Sequence, residues 1–445
     1  MMAMQLLAFV VCSMWLNQNI IVATAVAVDD VQPCSELWTR NSQIMPGSAR
    51  NRLRTIHSTE NSGANLEALI LRRTQYQCNC SRFNESMNLG QGANGNDLCR
   101  PVNVSSSRPE VLVWYVPGDG DTWQHYDWTK VTTVAVLDDI HNRVSQDLVC
   151  FAHAHSVRVV YVIQYGCWEA DCPWLQNSTA RQSLVSALVA KVEAEKLDGV
   201  NVDIEGLNAY QSQFTELIHS LAAGIRGVCP VCQLSLDMPY IPMPVYSFTG
   251  YNWSALAEAA DFLITMNYDM NDYGKSGFAD ANSPLWATKQ AMNCILQPTF
   301  NQHVPANKIV MGFPWYAYYF RCDNSTPAGM AEAVKNPCYS SKPFSESASQ
   351  HSLADAILNR LPHSSTGRLW DSNSECPYFD FMNGTARHRV WYDDKQSISV
   401  KCEYAGSLSV RGVAFWTANV DYGVPMPLSH EQLEATMWNS ISWPR

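Results

Sequence analysis

Leu197-Asp198-Gly199-Val200-Asn201-Val202-Asp203-Ile204-Glu205 couples a strand pattern to a pair of carboxylates. Val200, Val202 and Ile204 alternate with Asn201, Asp203 and Glu205, and a period of two bounded by Gly199 and Gly206 predicts a β-strand. One face is apolar and the other carries acids. On a barrel strand such a polar face can point into the barrel mouth, where a carboxylate is costly unless it is hydrogen-bonded or put to use. Side chains two apart stand roughly 6.6 Å from one another at a rise of about 3.3 Å per residue, so Asp203 and Glu205 are neighbours on one wall.

Outward from this strand, further candidates lie at 110–116, 131–137, 157–164, 233–238, 262–268, 308–315 and 412–417, most of them rich in Val, Ile and aromatics. Helical stretches at 181–195, 211–226, 254–260 and 285–296 fall between several of them, and 433–441 would be a closing helix. Eight strands alternating with helices predict an α/β fold whose parallel sheet closes into a (β/α)8 TIM barrel. An open doubly wound sheet is the alternative, but no strand runs into a glycine-rich phosphate fingerprint, so nucleotide binding has no footing. The segment 318–407 is too long for a loop and is expected to form an insertion between strands 7 and 8 that walls the cleft. In such a barrel the working groups gather at the C-terminal ends of the strands, and Glu205 ends its strand.

The chain has 445 residues, 47% of them hydrophobic, enough for one large barrel core. Only 16% are charged and the net charge is −11, so there is no basic excess to hold a nucleic-acid backbone. An acidic balance with 15 Trp and 19 Tyr suits a neutral sugar ligand better. Residues 1–27 read as a signal peptide with an apolar run and a small-x-small site at Ala25-Val26-Ala27, although its n-region lacks a positive charge. Residues 28–77 read as a variable leader and 78–445 as the barrel domain, with no later apolar run long enough to span a membrane. The fourteen cysteines after Cys12 form an even set expected to pair as disulfides in an oxidising compartment. Cys229-Pro230-Val231-Cys232 has no second CxxC to complete a zinc site, and His153 and His155 lack carboxylates at ligand spacing, so neither metal nor cofactor is expected. Acceptor sequons at Asn79, Asn84, Asn103, Asn177, Asn252, Asn324 and Asn383 agree with the secretory route.

The adjacency of the two acids decides the chemistry. A glycosidase that works with two carboxylates places them on opposite sides of the scissile bond, which two acids on one strand can hardly do. If Glu205 protonates the leaving oxygen, the nucleophile must come from elsewhere, and the substrate's own acetamido group is the known exception. Asp203 would then hold and polarise that acetamide.

Asp198-Gly199-x-x-x-Asp203-x-Glu205 resembles the signature of family 18 glycoside hydrolases. The resemblance implies that Glu205 is the general acid/base and Asp203 its acetamide-orienting partner. The family's more usual motif has Asp where this chain has Asn201, and the same Asn occurs in the chitobiase branch. Asp198 and Asn201 are grouped with the substrate-binding set. Met266-Asn267-Tyr268-Asp269 resembles the family's Met-x-Tyr-Asp, which implies that the Tyr268 hydroxyl contacts the acetamide and that Asp269 supports it. Met238 and Tyr240 stand at the end of strand 5, where members often carry a substrate-facing residue. Met311-Gly312-Phe313-Pro314-Trp315-Tyr316 and Val390-Trp391-Tyr392-Asp393-Asp394 are similar to chitobiase segments, with Trp315 as a stacking candidate and Asp393 holding the cleft wall or touching sugar hydroxyls. Trp416 corresponds to the family's indole floor under the sugar. Cys78-x-Cys80 and Leu98-Cys99-Arg100-Pro101 are similar to the cysteine-rich N-terminus of that branch.

The resemblance implies a retaining hydrolase of β-1,4 linkages next to N-acetylglucosamine, exo-acting on the reducing end of chitobiose cores, monomeric and lysosomal. The alternatives are a secreted endochitinase or endo-N-acetylglucosaminidase and, from another class, a non-catalytic sugar-binding lectin, which would normally have lost the acid that Glu205 retains.

Overall fold

In a computed structural model of the chain the described residues are 78–80, 97–103, 108–117, 122–167, 172–207, 209–240, 251–270, 277–297, 303–323, 337–418 and 428–442. The expected signal peptide and leader lie outside them. Eight strands form the barrel: β1 Glu110–Tyr115, β2 Thr133–Leu137, β3 Arg158–Gly166, β4 Gly199–Glu205, β5 Gln233–Pro239, β6 Phe262–Met266, β7 Ile309–Pro314 and, after an insertion, β13 Gly412–Trp416. They close in the order β1-β13-β7-β6-β5-β4-β3-β2, every pairing parallel. Around them run α1 Gln146–Ala154, α2 Ser178–Glu195, α3 Gln211–Val228, α4 Trp253–Ala259, α5 Leu285–Leu296, α6 Lys395–Ser407 and α7 Leu428–Trp438. Closure disposes of the open doubly wound sheet, because both would-be edges pair with each other through β1 and β13.

The period of two sorts the side chains. Val200, Val202 and Ile204 of β4, with Leu234, Leu236 and Met238 of β5, join the large core cluster that also takes in the apolar faces of α2, α3 and α4. Leu112, Trp114, Val160, Val162, Phe262, Ile264, Val310 and Ala414 form a separate apolar cluster inside the barrel. Below it, at the N-terminal end of the strands, Glu110, Thr133, Arg158 and Gln233 make a buried polar layer: Arg158 Nη2 donates to Glu110 Oε2 at 2.5 Å, and Thr133 Oγ1 donates to Glu110 Oε1 at 2.7 Å.

The insertion is a five-stranded antiparallel sheet of β8 Tyr316–Arg321, β9 Ala348–Ser352, β10 Leu369–Asp371, β11 Cys376–Asn383 and β12 Ala386–Trp391, in the order β10-β11-β12-β8-β9. Its bounds differ from the expected 318–407. The sheet begins at Tyr316, just past β7, and the last part of that stretch is α6, the barrel helix leading into β13. Asp394 starts α6 with a reciprocal capping box to Ser397, which sets the helix apart from the sheet before it.

Disulfides join Cys78 to Cys99, Cys80 to Cys150, Cys167 to Cys172, Cys229 to Cys232 and Cys322 to Cys338, and Cys294 is also disulfide-bonded. The CxxC pair is therefore a closed bridge. Cys376 and Cys402 depart from the expected full pairing: both are buried free thiols, and Cys376 Sγ lies 3.6 Å from Lys401 Nζ. Asn177 and Asn252, two of the sequon residues, serve as N-caps of α2 and α4.

Candidate active site

β4 brings Asp203 and Glu205 to the C-terminal rim. At its start the backbone passes so close to Gln233 that a Cβ on Gly199 (φ 139°) would lie 1.9 Å from the Gln233 carbonyl oxygen, so the motif's glycine is a requirement of the β4–β5 approach. Asp203 is 5% exposed; its Oδ2 accepts from Gln164 Nε2 at 2.8 Å, and its buried Oδ1 has no hydrogen-bond partner. Burial, against the Gln164 hydrogen bond, pushes the Asp203 carboxyl up to about 6. Glu205, half-buried at the strand end, is raised well above the usual carboxylate range by burial and then by the charges of Asp203 and Asp269. Neighbouring acids in a dry setting do not all ionise, so Glu205 keeps a proton that an exposed glutamate would have lost.

Asp237 occupies the next inward position on β5. Asn201 Nδ2 donates to Asp237 Oδ1 at 3.0 Å and to Ser235 Oγ at 3.1 Å, while Trp114 Nε1 reaches Asn201 Oδ1 at 3.4 Å. Just past β6 stand Tyr268 and Asp269. Burial, followed by the charges of Asp237, Asp203, Glu205 and Asp269, drives the Tyr268 phenol well above its ordinary value, so it remains an O–H donor facing acids. A Cβ on Gly312 would press 3.0 Å from the Thr265 carbonyl oxygen and 3.4 Å from Tyr268 Cε1, so this glycine leaves the ring its place. Asp269, at φ 56°, donates its N–H to Asn282 Oδ1 at 2.7 Å. Its Oδ1 accepts from Tyr316 and Tyr318 of the inserted sheet at 2.5 and 2.7 Å, and Gln350 Nε2 donates on to the Tyr318 hydroxyl at 2.7 Å. The insertion is thereby fastened to the rim beside the acids.

Trp416 ends β13, four strands from β4 in either direction round the ring, so it faces Glu205 from the opposite wall. Its ring meets the edge of Trp114 at 5.6 Å between centroids. A protonated carboxyl, a second carboxyl with one free oxygen, a phenol donor and a flat indole therefore converge on one mouth. That set can protonate a leaving oxygen and grip an amide over an apolar platform.

The family model of glycosyl hydrolases family 18 matches residues 151–421. The chain is 30% identical over 352 residues to a di-N-acetylchitobiase of Rattus norvegicus, covering 77% of this chain and 90% of that one. The di-N-acetylchitobiase of Homo sapiens is 29% identical over 333 residues, with 73% and 82% covered. Among solved structures, a family 18 chitinase of Cycas revoluta in complex with allosamidin superposes with a TM-score of 0.57 at 17% identity, covering 75% of this chain and all of that one. The chain belongs to glycosyl hydrolases family 18. It is a glycoside hydrolase.

Within this family 18 barrel Asp203, Glu205, Tyr268, Asp269 and Trp416 come together at one rim, and Tyr240 follows β5 on the same side, partly exposed. Five other expected substrate contacts are placed differently. Asp198 precedes β4 at the N-terminal end of the barrel and is fully buried; its carboxylate accepts from Val102 N and Val159 N, both at 2.6 Å, and pairs with His153 Nε2 at 2.8 Å. Asn201 lies one inward layer below Asp203 and acts on its neighbours rather than at the mouth. Met238 faces the helices, because the parity that turns Ser235 and Asp237 inward turns Leu236 and Met238 outward. Trp315 has the outward parity on β7 and packs against Phe415 at 4.7 Å and Trp438 at 5.1 Å. Asp393 is 1% exposed and held by the Lys401 ammonium, clamping the end of the insertion to α6. At that burial it has no surface for a sugar.

Asp237, Gln164, Tyr316 and Tyr318 were not singled out from the sequence. Asp237 was available from the alternation of Gln233, Ser235 and Asp237 against Leu234, Leu236 and Met238, the same pattern that selects Asp203. The two tyrosines carry no such signal, since their partner Asp269 is brought to them only by the insertion's fold.

Proposed function

We propose that the protein cleaves a β-1,4 linkage next to N-acetylglucosamine with retention of configuration, the substrate's 2-acetamido group serving as nucleophile. One observation carries this reading: Asp203 and Glu205 share a wall, and the place diametrically opposite is taken by Trp416. A carboxylate nucleophile would have to sit across the scissile bond from the acid. In the proposed reaction Glu205 donates its proton to the glycosidic oxygen while the acetamide oxygen closes on C1. Asp203 takes the acetamide N–H on its free Oδ1, and the Tyr268 hydroxyl donates to the acetamide oxygen. Glu205, now anionic, then draws a proton from the water that opens the oxazolinium intermediate, and Trp416 carries the sugar's CH face.

The substrate is an oligosaccharide of the chitobiose type, cleaved from its reducing end; di-N-acetylchitobiases among the relatives and chitooligosaccharides bound by a structural neighbour support this class. A monomeric enzyme that enters the secretory route behind a signal peptide at 1–27 and a leader at 28–77, and works in the lysosome or outside the cell, fits the disulfide set. No helix among the described residues is long and apolar enough to cross a membrane.

The test is digestion of reducing-end-labelled chitotetraose by wild type and by Glu205→Gln. Wild type releases labelled monosaccharide first, and the variant loses about 10²- to 10⁴-fold in kcat with its melting temperature kept. Internal cleavage would move the assignment to an endo-enzyme. Equal cleavage of a substrate lacking the 2-acetamido group would end the anchimeric mechanism.

A further inference from the structure

Asp237 is a buried carboxyl that the reaction above does not use. The β4–β5 register pairs Asn201 with Ser235 and Val202 with Leu236, so the next inward pair, about 4.8 Å apart across the strands, is Asp203 and Asp237. Asp237 is 4% exposed. It is faced by Asp203, Glu205 and Asn201 from β4, by Trp114 from β1 and by the Tyr268 phenol beyond β6, while Ile264 opposite it on β6 is apolar. The barrel's interior arginine, Arg158, is engaged with Glu110 at the other end. Asp203 and Asp237 therefore share one dry layer, with Glu205 one step above them at the strand end and no cation among these neighbours, and Asn201, as an amide, can hold no proton for them.

We propose that Asp237 is the positioning residue of this site, a carboxylic acid that stays neutral beside Asp203 so that Asp203 bears the negative charge and Glu205 retains its proton. Two observations decide which acid keeps the proton. Asp203 Oδ2 is stabilised by the Gln164 amide, and its Oδ1 is buried, unpartnered and on the inward layer of Asp237. Asp237 accepts from the Asn201 amide on Oδ1 and from the Trp114 indole N–H, both neutral donors that a protonated acid can keep on its carbonyl oxygen while its hydroxyl serves Asp203. Burial, with the charges of Asp203 and then Glu205, raises Asp237 well above the usual carboxylate range. With that proton in place the layer holds one negative charge, and the acetamide meets an ionised acceptor.

The inference rests on the acid/base assignment proposed above, and its test separates the two. Asp237→Leu lowers kcat about 10²-fold, the size of a lost electrostatic donor, with KM changed less than about threefold. Asp237→Asn, which keeps the shape and the donor of a neutral acid, recovers at least about tenfold of that loss. Independently of turnover, the infrared difference between Glu205→Gln and Glu205→Gln/Asp237→Asn at neutral pH shows the carbonyl band of one protonated carboxylic acid. No band, or an Asp237→Asn enzyme as impaired as Asp237→Leu, overturns the proposal. If Glu205→Gln stays fully active the acid/base assignment falls, while the infrared band still decides the state of Asp237.

Discussion

The two ends of the barrel bury acids to the same degree and treat them oppositely. At the N-terminal end Glu110 is 2% exposed, and at the C-terminal end Asp203 is 5% exposed. Burial pushes both carboxyls up, but Glu110 ends below its ordinary range because Arg158 and the Thr132 and Thr133 hydroxyls outweigh burial. Asp203 has the Gln164 amide and no cation, and it ends at about 6. Burial depth does not separate a structural acid from a reactive one. The partner does: an acid given a cation is fixed in its charged form, whereas an acid left among other acids holds a proton that it can lose.

The hardest blow to this contrast removes the cation. Arg158→Met leaves buried Glu110 with only the more distant Arg411, Nε 3.8 Å away, and should cost about 3 kcal/mol in a denaturant titration at neutral pH. The deficit shrinks in acid, because the pair's contribution is present above the unfolded carboxylate pKa and is lost as pH falls through the depressed folded one. Glu110→Leu/Arg158→Met, which withdraws both charges, should be less damaging than Arg158→Met alone. An equal loss in the double variant would show that the pair matters for its packing rather than its charge.

The comparison also marks how far the sequence could be read. Eight strands, the closed barrel, and the pairing of Asp203 with Glu205 on one wall follow from the alternation in residues 199–205 and its repetition along the chain. The same alternation, carried to every strand, would have sent Trp315 and Met238 to the helices and Asp237 into the barrel. Asp198 was misplaced for a different reason: a motif joins residues that are adjacent in sequence, yet β4 runs the length of the barrel and separates Asp198 from Glu205 by its whole span. The free thiols Cys376 and Cys402 and the lock of Asp269 by Tyr316 and Tyr318 depend on tertiary meeting points that no spacing encodes.

An effect of opposite sign is expected at the C-terminal end. Folding raises the Asp203 carboxyl from 3.8 to about 6, so the folded state holds a proton that the unfolded chain releases, and stability falls as pH rises through that window. Asp203→Asn cannot ionise and escapes the penalty. It should be more stable than wild type by roughly 3 kcal/mol above about pH 6 and close to it below about pH 4, while turnover drops. A variant no more stable at neutral pH would mean that the Asp203 charge is already compensated in the folded protein beyond the Gln164 hydrogen bond.

The smallest effect tests whether a cation-paired acid behaves alike elsewhere on the N-terminal side. His153 offers Nε2 to Asp198 at 2.8 Å and Nδ1 to the Leu98 carbonyl at 2.5 Å, and a ring facing two acceptors must donate from both nitrogens, which only imidazolium can do. The Asp198 charge, its hydrogen bond and the Leu98 carbonyl outweigh burial and raise the His153 pKa. Its contribution is therefore complete below about pH 6.5, the unfolded value, and disappears as pH climbs through the folded one. His153→Gln, which keeps a single amide donor, should cost about 1 kcal/mol in acid and progressively less toward alkaline pH, the reverse of the trend expected for Arg158→Met. Since Asp198 also takes the Val102 N–H, this pair ties the segment after Cys99 beneath the barrel, and hydrogen exchange at Val102 should quicken in the variant. A pH-independent loss would mean that the ring is neutral and that Asp198 depends on its two backbone donors alone.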